Sequence, residues 1–202
     1  MFEQIAFDEK GLVPCVAQDF ASGEVLTLAY ANDESLRLSV ETGELHFYSR
    51  SREEIWRKGE TSGNVLKLRE LRYDCDGDAL VALVEPTGPA CHTGERSCFY
   101  RALDGDPEPV AHEVLPTLQR TLRSRTEERP EGSYTVKLLD DPELVAAKIE
   151  EEAEEVVRAG REESDERVAE EAADLIYHLS VLLASRDVPH SAVMEVLNER
   201  RR

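Results

Sequence analysis

Basic residues are scarce in this sequence. Its 202 residues include 24 Lys and Arg against 43 Asp and Glu, which gives a formal net charge of −19 at pH 7. A general nucleic-acid-binding surface needs clustered Lys and Arg to pair with phosphates, so this composition argues against nucleic acid as a partner. Small phosphorylated ligands are not excluded, because metal ions and a few local arginines can bind them.

Long apolar runs and a secretory signal are also missing. The longest apolar runs fall far short of the roughly 20 residues that span a bilayer, so no membrane association is expected. The first residues, Met-Phe-Glu-Gln-Ile, lack the basic segment that begins a signal peptide. We therefore expect a cytoplasmic protein, in which the four cysteines stay reduced.

The first half of the chain has the pattern of a β-rich α+β domain, which we place at residues 1–106. Short β-type runs alternate with turns, and a short helix is predicted from Asn32 to Val40, before Gly43. The predicted strands are Leu12–Ala17, Val25–Tyr30, Leu45–Tyr48, Val65–Tyr73, Ala79–Glu85 and Cys98–Ala102.

The second half has helical periodicity, which predicts an all-α bundle over residues 114–202. The Pro- and Gly-containing segment Asp104–Pro109 breaks the chain before it, and we place a linker at residues 107–113. The predicted helices are Val114–Thr126, a helix after Asp141 that ends near Ala159 at Gly160, a helix from Ser164 or Asp165 to Ser185, and a last helix after Pro189 that ends in Arg200–Arg202.

Three alternating carboxylates follow the fifth predicted strand. On an extended segment Asp74, Asp76 and Asp78 face the same side, where like charges repel unless a cation lies between them. Clustered carboxylates suit a hard cation such as Mg²⁺. The alternative is a solvated acidic turn, because Asp-Gly pairs are common in hairpins.

Three of the four cysteines lie in polar or Gly-rich contexts. Cys75, Cys91 and Cys98 are separated by 16 and 7 residues, unlike the paired spacing of structural zinc ribbons. Three thiolates would leave a fourth position on Zn²⁺ for a water molecule, which is the catalytic pattern. Cys15 is instead typical of a small core residue. His92, beside Cys91, is a candidate zinc ligand, a general acid/base or a packed histidine.

Residues 49–64 are locally basic in an acidic protein. Their Arg and Lys side chains can pair with phosphate, and the hydroxyls and backbone N–H groups that follow can complete an anion site. An ordinary polar loop is the alternative. The candidate substrate- or phosphate-binding residues are Arg50, Arg52, Trp56, Lys58, Thr61, Ser62, Gly63 and Asn64.

The segments Ser49–Asn64, Asp74–Leu80 and Gly88–Phe99 resemble the signature segments of phosphoribosyl-AMP cyclohydrolase, an enzyme of histidine biosynthesis. Leu28–Asn32 also fits, although Ala31 stands where the family usually has Met. The resemblance covers roughly residues 5–102. It implies a hydrolytic opening of the adenine ring at the N1–C6 bond.

The same resemblance implies roles for the candidate residues. Zinc on Cys75, Cys91 and Cys98 would activate the attacking water, and His92 would shuttle protons. Magnesium on the three aspartates, Asp74, Asp76 and Asp78, would organise the ligand and its phosphate. In the family the zinc ligands come from two subunits, so a homodimer is implied.

Acidic side chains recur at helical spacing in the second half. Glu151, Glu152 and Glu155 lie in one predicted helix, and Glu171 and Asp174 lie in the next. Residues three or four apart share a helix face, and facing helices would gather these carboxylates. The density of like charge favours metal binding. A solvated acidic face is the alternative, which flanking apolar residues such as Ile149 make less favourable.

This pattern resembles that of the all-α nucleotide pyrophosphohydrolases. The local sequence resembles that of phosphoribosyl-ATP pyrophosphatase over about residues 114–200. The resemblance rests on Glu131–Leu139, Lys148 and Glu170–Leu182. It implies magnesium-dependent hydrolysis of the α–β phosphoanhydride of phosphoribosyl-ATP. The metals would lie on the five acids named above. The other implied site residues are Ser133, Tyr134 and Thr135, which line the site, and Lys137 and Lys148, which bind phosphate.

We therefore predict a bifunctional hydrolase for two consecutive steps of histidine biosynthesis, acting on phosphoribosylated adenine nucleotides. One rival is a single-activity nucleotide pyrophosphohydrolase with a degenerate first domain. Another is a zinc-stabilised interaction module with an acidic helical partner surface, which would have no turnover.

Overall fold

The computed structural model describes residues 2–107 and 110–201. The chain divides into two compact units, residues 1–113 and 114–202. The first unit is β-rich and the second is helical, as the sequence predicted. The predicted linker residues Glu108 and Pro109 lie outside the described part of the chain.

The first unit is built on a sheet of six strands. The described strands are β1 (Val13–Asp19), β2 (Val25–Ala31), β3 (His46–Ser49), β4 (Glu54–Arg57), β5 (Leu66–Tyr73) and β6 (Leu80–Pro86). Their order is β4-β3-β2-β1-β6-β5. Among the described strands, β1 and β6 pair in parallel, and the other neighbours pair antiparallel. The antiparallel β5–β6 hairpin places the acidic turn that joins these two strands at one end of the sheet.

The core of this unit follows from strand periodicity. Every second residue of β1 is buried, including Val13, Cys15 and Ala17. Helix α1 (Asp33–Thr42) begins with a capping box between Asn32 and Ser35. Burial raises the pKa of the Cys15 thiol to about 12, so Cys15 is a neutral core residue.

The second unit consists of helices in the part of the chain described. They are α2 (Ala111–Glu128), α3 (Tyr134–Asp140), α4 (Pro142–Glu162), α5 (Asp165–Ser185) and α6 (His190–Glu199). Leu122, Leu138, Val145 and Val181 form the buried core that joins α2 to α5. No helix among the described residues is long and apolar enough to cross a membrane.

Side-chain caps define where two of these helices begin. Asp141 accepts a hydrogen bond from the backbone N–H of Leu144 at 3.0 Å, and Pro142 occupies the first helical position. Ser164 caps α5 by accepting from the N–H of Arg167 at 3.4 Å. The Ser164 cap lies in the turn between α4 and α5, the two helices that carry the predicted acids.

Several local predictions were wrong. Cys98–Ala102 is not a strand, because the segment donates one backbone bond, from Cys98 to Leu26, and makes no ladder. Gly160 does not end α4, since the packed helix continues to Glu162. Strand β4 lies inside the basic stretch 49–64, where no strand was predicted, and α3 was not predicted as a helix.

Candidate active sites

The three alternating aspartates form a compact acidic turn between β5 and β6. One ligand oxygen from each of Asp74, Asp76 and Asp78 lies within 4.8 Å of the others, and all three side chains are exposed. The turn is closed by Asp74, whose carboxylate accepts a hydrogen bond from the backbone N–H of Ala79 at 3.2 Å. The arrangement offers several oxygens to one hard cation.

Mutual repulsion is visible in the pKa values of this acidic turn. The negative charges of Asp76 and Asp74 raise the pKa of Asp78. Burial tends to raise the pKa of Asp74, but hydrogen bonds from Ala79, Asp78 and Asp76 together prevail and lower it. A bound cation would relieve the repulsion, so the site fits a divalent metal.

The N-terminal segment holds the acidic turn in place. The backbone N–H of Ala6 donates to the carbonyl of Gly77 at 2.8 Å. Gly77 has φ +78°, and a Cβ at this position would lie 2.2 Å from the carbonyl oxygen of Gln4. Only glycine allows this approach, which is why the turn between the second and third aspartates can press against residues 4–6.

Cys91 and Cys98 meet in an irregular loop after β6. The hydroxyl of Thr93 donates to the Cys91 sulfur at 3.0 Å. This bond is the main cause of a lowered Cys91 pKa, assisted by the positive charge of Lys58. Burial and the neighbouring Cys91 sulfur raise the pKa of Cys98. The pair therefore presents one readily ionised thiol beside a less acidic one.

The third predicted zinc ligand lies elsewhere. Cys75 is exposed in the acidic turn, with its sulfur 3.9 Å from Asp76 Oδ1. Among the residues the structure describes, the groups of three metal-ligating side chains are both made of carboxylates. One chain therefore does not gather the three thiols. His92 is exposed, with Nδ1 3.9 Å from the Cys91 sulfur.

A buried ion-pair cluster anchors the cysteine loop. Arg96 pairs with Asp19 at the end of β1 and, at 2.6 Å, with Glu24 before β2. Both carboxylates are almost fully buried, whereas the Arg96 side chain is about one-third exposed. Sequence reasoning missed this cluster, because residues 72 to 77 positions apart gave no local signal.

The basic stretch is divided between a turn, a strand and a second turn. Arg50 lies 3.9 Å above the ring of Tyr30, and Arg52 pairs with Glu54 at 3.0 Å. Trp56 lies on β4 and packs against Phe47, with ring centroids 5.4 Å apart.

Beyond β4, the basic stretch approaches the cysteine loop. Lys58 is close enough to lower the pKa of both Cys91 and Cys98. Thr61, Ser62 and Gly63 form an exposed turn. A Cβ at Gly88 would lie 2.4 Å from the side chain of Asn64, so this amide is packed against the start of the cysteine loop.

Helices α4 and α5 form a second acidic group. Glu152 and Glu155 of α4 and Glu171 of α5 each place a ligand oxygen within 4.8 Å of the others. Glu152 and Glu171 are buried. Such carboxylates repel unless a cation is shared between them, so this group, the α4–α5 cluster, also fits a divalent metal.

Two of the five predicted acids lie outside the α4–α5 cluster. Glu151 is exposed and pairs with Lys148 at 2.6 Å, and this bond is the main cause of the raised Lys148 pKa. The Asp174 side chain is exposed one turn beyond Glu171. Its backbone carbonyl lies 2.9 Å from His178 Nδ1.

His178 is a buried polar residue that sequence reasoning missed. Its Nδ1 lies 3.6 Å from Glu152 Oε1, and its Nε2 lies 3.2 Å from the hydroxyl of Tyr134. The ring thus links the cluster to the start of α3. The sequence could have indicated His178 as a site residue, because it lies four residues after Asp174 and so shares a helix face with it.

The remaining predicted residues surround the start of α3. Ser133 is its N-cap, and the hydroxyl of Thr135 lies 2.8 Å from that of Tyr177. Ser133, Tyr134 and Lys137 line an open cavity of about 450 Å³. Lys137 is exposed, so its amine can reach a ligand in this cavity.

Both units therefore place convergent carboxylates near cationic or hydroxyl groups, and the first unit adds a pair of thiols. Hydrolases that use metal ions employ groups of these kinds.

Comparison with known proteins assigns each unit. Residues 27–100 match the family model of phosphoribosyl-AMP cyclohydrolase, and residues 115–201 match that of phosphoribosyl-ATP pyrophosphohydrolase. The "Histidine biosynthesis bifunctional protein HisIE" of Halalkalibacterium halodurans is 48% identical over 99% of this chain and 97% of its own length. The proteins of that name from Pyrococcus furiosus and Bacillus subtilis are 47% and 46% identical, over 100% and 98% of this chain and 98% and 95% of their own lengths. The chain belongs to this bifunctional HisIE family.

We predict that Gly77→Ala displaces the acidic turn. The added Cβ meets backbone at 2.2 Å, so the segment before β1 must move. Hydrogen–deuterium exchange should rise in residues 2–8, and the free energy of unfolding should fall by roughly 2 kcal/mol or more. The matched control is Gly43→Ala, which has a similar φ of +70° but open space around the new Cβ. Equal exchange in both variants would contradict the packing argument.

We predict that Arg96→Met lowers the free energy of unfolding of the first unit by about 3 kcal/mol, because two buried carboxylates lose a cation. Urea unfolding can be followed by fluorescence of Trp56, the single tryptophan. Arg69→Met is the control, since its pair with Glu85 is exposed and should contribute below about 1 kcal/mol. Similar losses in both variants would show that burial of the Arg96 cluster is unimportant.

Proposed function

We propose that the helical unit hydrolyses phosphoribosyl-ATP to phosphoribosyl-AMP and pyrophosphate with Mg²⁺ on the α4–α5 cluster. The observation that carries this proposal is the convergence of Glu152, Glu155 and Glu171, two of them buried, within 4.8 Å. Glu151 and Asp174, at the border of the cluster, complete the proposed ligand set. A bound divalent cation polarises phosphate oxygens and lowers the pKa of a water molecule.

The surrounding residues suit a triphosphate substrate. Lys148 lies one helical turn before the cluster and Lys137 at the open cavity, so both can pair with phosphate oxygens. Tyr134 and His178 connect the cavity to Glu152. We assign Ser133, Tyr134 and Thr135 to the wall of this site.

We propose that the β-rich unit opens the adenine ring of phosphoribosyl-AMP at N1–C6. Cys91 and Cys98 would hold Zn²⁺ together with Cys75, and this ion supplies an activated water when bound. The lowered pKa of Cys91 supports the assignment, because a metal-binding thiol must ionise. His92, exposed beside Cys91, is the candidate proton carrier.

The acidic turn and the basic stretch complete the proposed cyclohydrolase site. Asp74, Asp76 and Asp78 would hold Mg²⁺ near the ligand. The phosphoribosyl group would be bound by the basic stretch, whose members are Arg50, Arg52, Trp56, Lys58, Thr61, Ser62, Gly63 and Asn64. The electrostatic effect of Lys58 on both loop cysteines supports a common site for the anion and the thiols.

We also propose a homodimer. A single chain gathers two of the three thiols, and the exposed Cys75 is accessible to a second copy. We assign residues 1–106 and 114–202 to the two catalytic domains, with a linker at 107–113, and a cytoplasmic location, where zinc-binding thiols remain reduced. Membership of the HisIE family does not favour the interaction-module alternative.

Two substitutions should separate the activities. Glu171→Gln should reduce pyrophosphate release by more than about 100-fold, because loss of a residue that only supports a metal ligand already costs roughly 10- to 100-fold. Ring opening of supplied phosphoribosyl-AMP should continue. Cys98→Ser should have the reverse effect. The assay supplies each nucleotide with Mg²⁺ and Zn²⁺ and follows both products.

Glu154→Gln is the matched control, because Glu154 is an exposed acid of the same helix outside the cluster. It should leave both activities near those of the unchanged protein. Normal pyrophosphate release by the Glu171 variant would overturn the assignment of the cluster. Global unfolding of the Cys98 variant with no turnover in the unchanged protein would favour the interaction module.

A further inference from the structure

Two arginines contact the α4–α5 cluster. Arg158, one turn after Glu155, bonds to that glutamate at 2.8 Å and to Glu163 at 3.2 Å. Arg167, one turn before Glu171, bonds to that glutamate and to Glu163 at 3.3 Å. Glu163 therefore bridges both guanidinium groups at the turn between the helices.

The arginines bind two of the three carboxylates that the proposed metal site would use. A carboxylate has about four lone-pair sites, and a guanidinium donates in the carboxylate plane where a hard cation also binds. Two of the three cluster members, Glu155 and Glu171, are engaged in this way. Glu152 is the exception, because its close side-chain neighbour is the imidazole of His178, whose Nδ1 lies 3.6 Å away.

Burial makes these contacts important for the fold. Glu171 is 4% exposed, and a buried carboxylate without a partner is costly. The side chains of Arg158 and Arg167 are about half exposed, so each guanidinium can leave the cluster for water without moving a helix.

Each arginine also has a second acid outside the cluster. Arg167 contacts the exposed Glu170 at 2.5 Å, and Glu163 accepts from both arginines. A released guanidinium can therefore remain paired with these acids. The geometry provides two positions for each positive charge, one on the cluster and one beside it.

We propose that Arg158 and Arg167 are internal cations that compete with the divalent metal for Glu155 and Glu171. They stabilise the α4–α5 turn when metal is scarce, and their side chains move to Glu163 and Glu170 when metal binds. This inference rests on the proposed metal-binding role of the cluster. It makes the metal affinity of the protein weaker, and its metal-free fold more stable, than the carboxylates alone would give.

The test uses the full chain with Arg158→Gln and Arg167→Gln combined. After removal of divalent ions with a chelator, calorimetry measures the binding of Mg²⁺, and of Mn²⁺ as a second probe. We expect metal affinity in the helical unit to increase by about 5- to 50-fold, within the usual range of coupling between sites. We expect the melting temperature of the chelator-treated protein to fall. Arginines with a purely structural role would lower the melting temperature when replaced without raising the metal affinity. A higher metal affinity together with a lower melting temperature therefore indicates competition.

Arg123→Gln is the matched control, because the pair of Arg123 with Glu127 at 3.1 Å on α2 is exposed and outside the cluster. It should change neither quantity. If the double variant unfolds after chelation, the rise of its melting temperature with metal concentration still gives the affinity.

Metal affinity that is unchanged or weaker in the double variant would overturn the competition. If Glu171→Gln binds metal as well as the unchanged protein does, the proposed metal site itself fails, and the competition fails with it. The substitutions at acids and at arginines thus identify which of the two proposals is wrong.

Discussion

Repulsion between convergent carboxylates is the constraint on which both units depend. The acidic turn and the α4–α5 cluster each hold three acids within 4.8 Å. Water reduces the cost in the exposed turn, where the only sign is a raised pKa at Asp78. Burial removes that screening for Glu152 and Glu171, so the helical unit needs positive charge close by. Arg158 and Arg167, beside the cluster, meet this need.

The cysteine loop also depends on buried carboxylates paired with an arginine, here to hold an irregular segment in place. It has no ladder or helix to fix it, so its shape depends on isolated backbone bonds and on Arg96. That arginine connects the loop to Asp19 and Glu24 on the β1–β2 hairpin, where the carboxylates are buried. Two thiols are thereby held beside the sheet by contacts of the chain itself.

Local patterns predicted much of this structure. Alternation gave β1, β2, β3, β5 and β6, and Asp141, Ser164 and Pro189 marked helix starts, because each signal acts within a few residues. Strand β4 was missed because its polar residues belong to an edge strand, whose pairing with β3 depends on a tertiary contact of Trp56 with Phe47. Helix α3 has seven residues, too few for a periodicity.

The site predictions divide along the same physical line. Spacing on one helix brought Glu152 and Glu155 together in the prediction, and the pairing of two helices added Glu171. Residue spacing could not show that Cys75 lies apart from Cys91, since the distance between two loops depends on the whole sheet. The contacts of Tyr30 and Arg96 were not predicted for the same reason, because they join residues far apart in sequence.

The net charge of −19 makes local positive charge important for binding anionic substrates. Both substrates of the family are polyanions, and an acidic protein repels them at long range. Favourable binding therefore requires positive charge concentrated at the sites themselves. In the β-rich unit, Lys58 provides positive charge near the thiols, and Arg50 adds another over the ring of Tyr30. In the helical unit Arg158 and Arg167 pair with the protein's own acids. Under the proposed function, the positive charge that meets a triphosphate would therefore come from Lys148, Lys137 and a bound divalent cation. Substrate binding by the second unit should accordingly depend on metal more strongly than binding by the first.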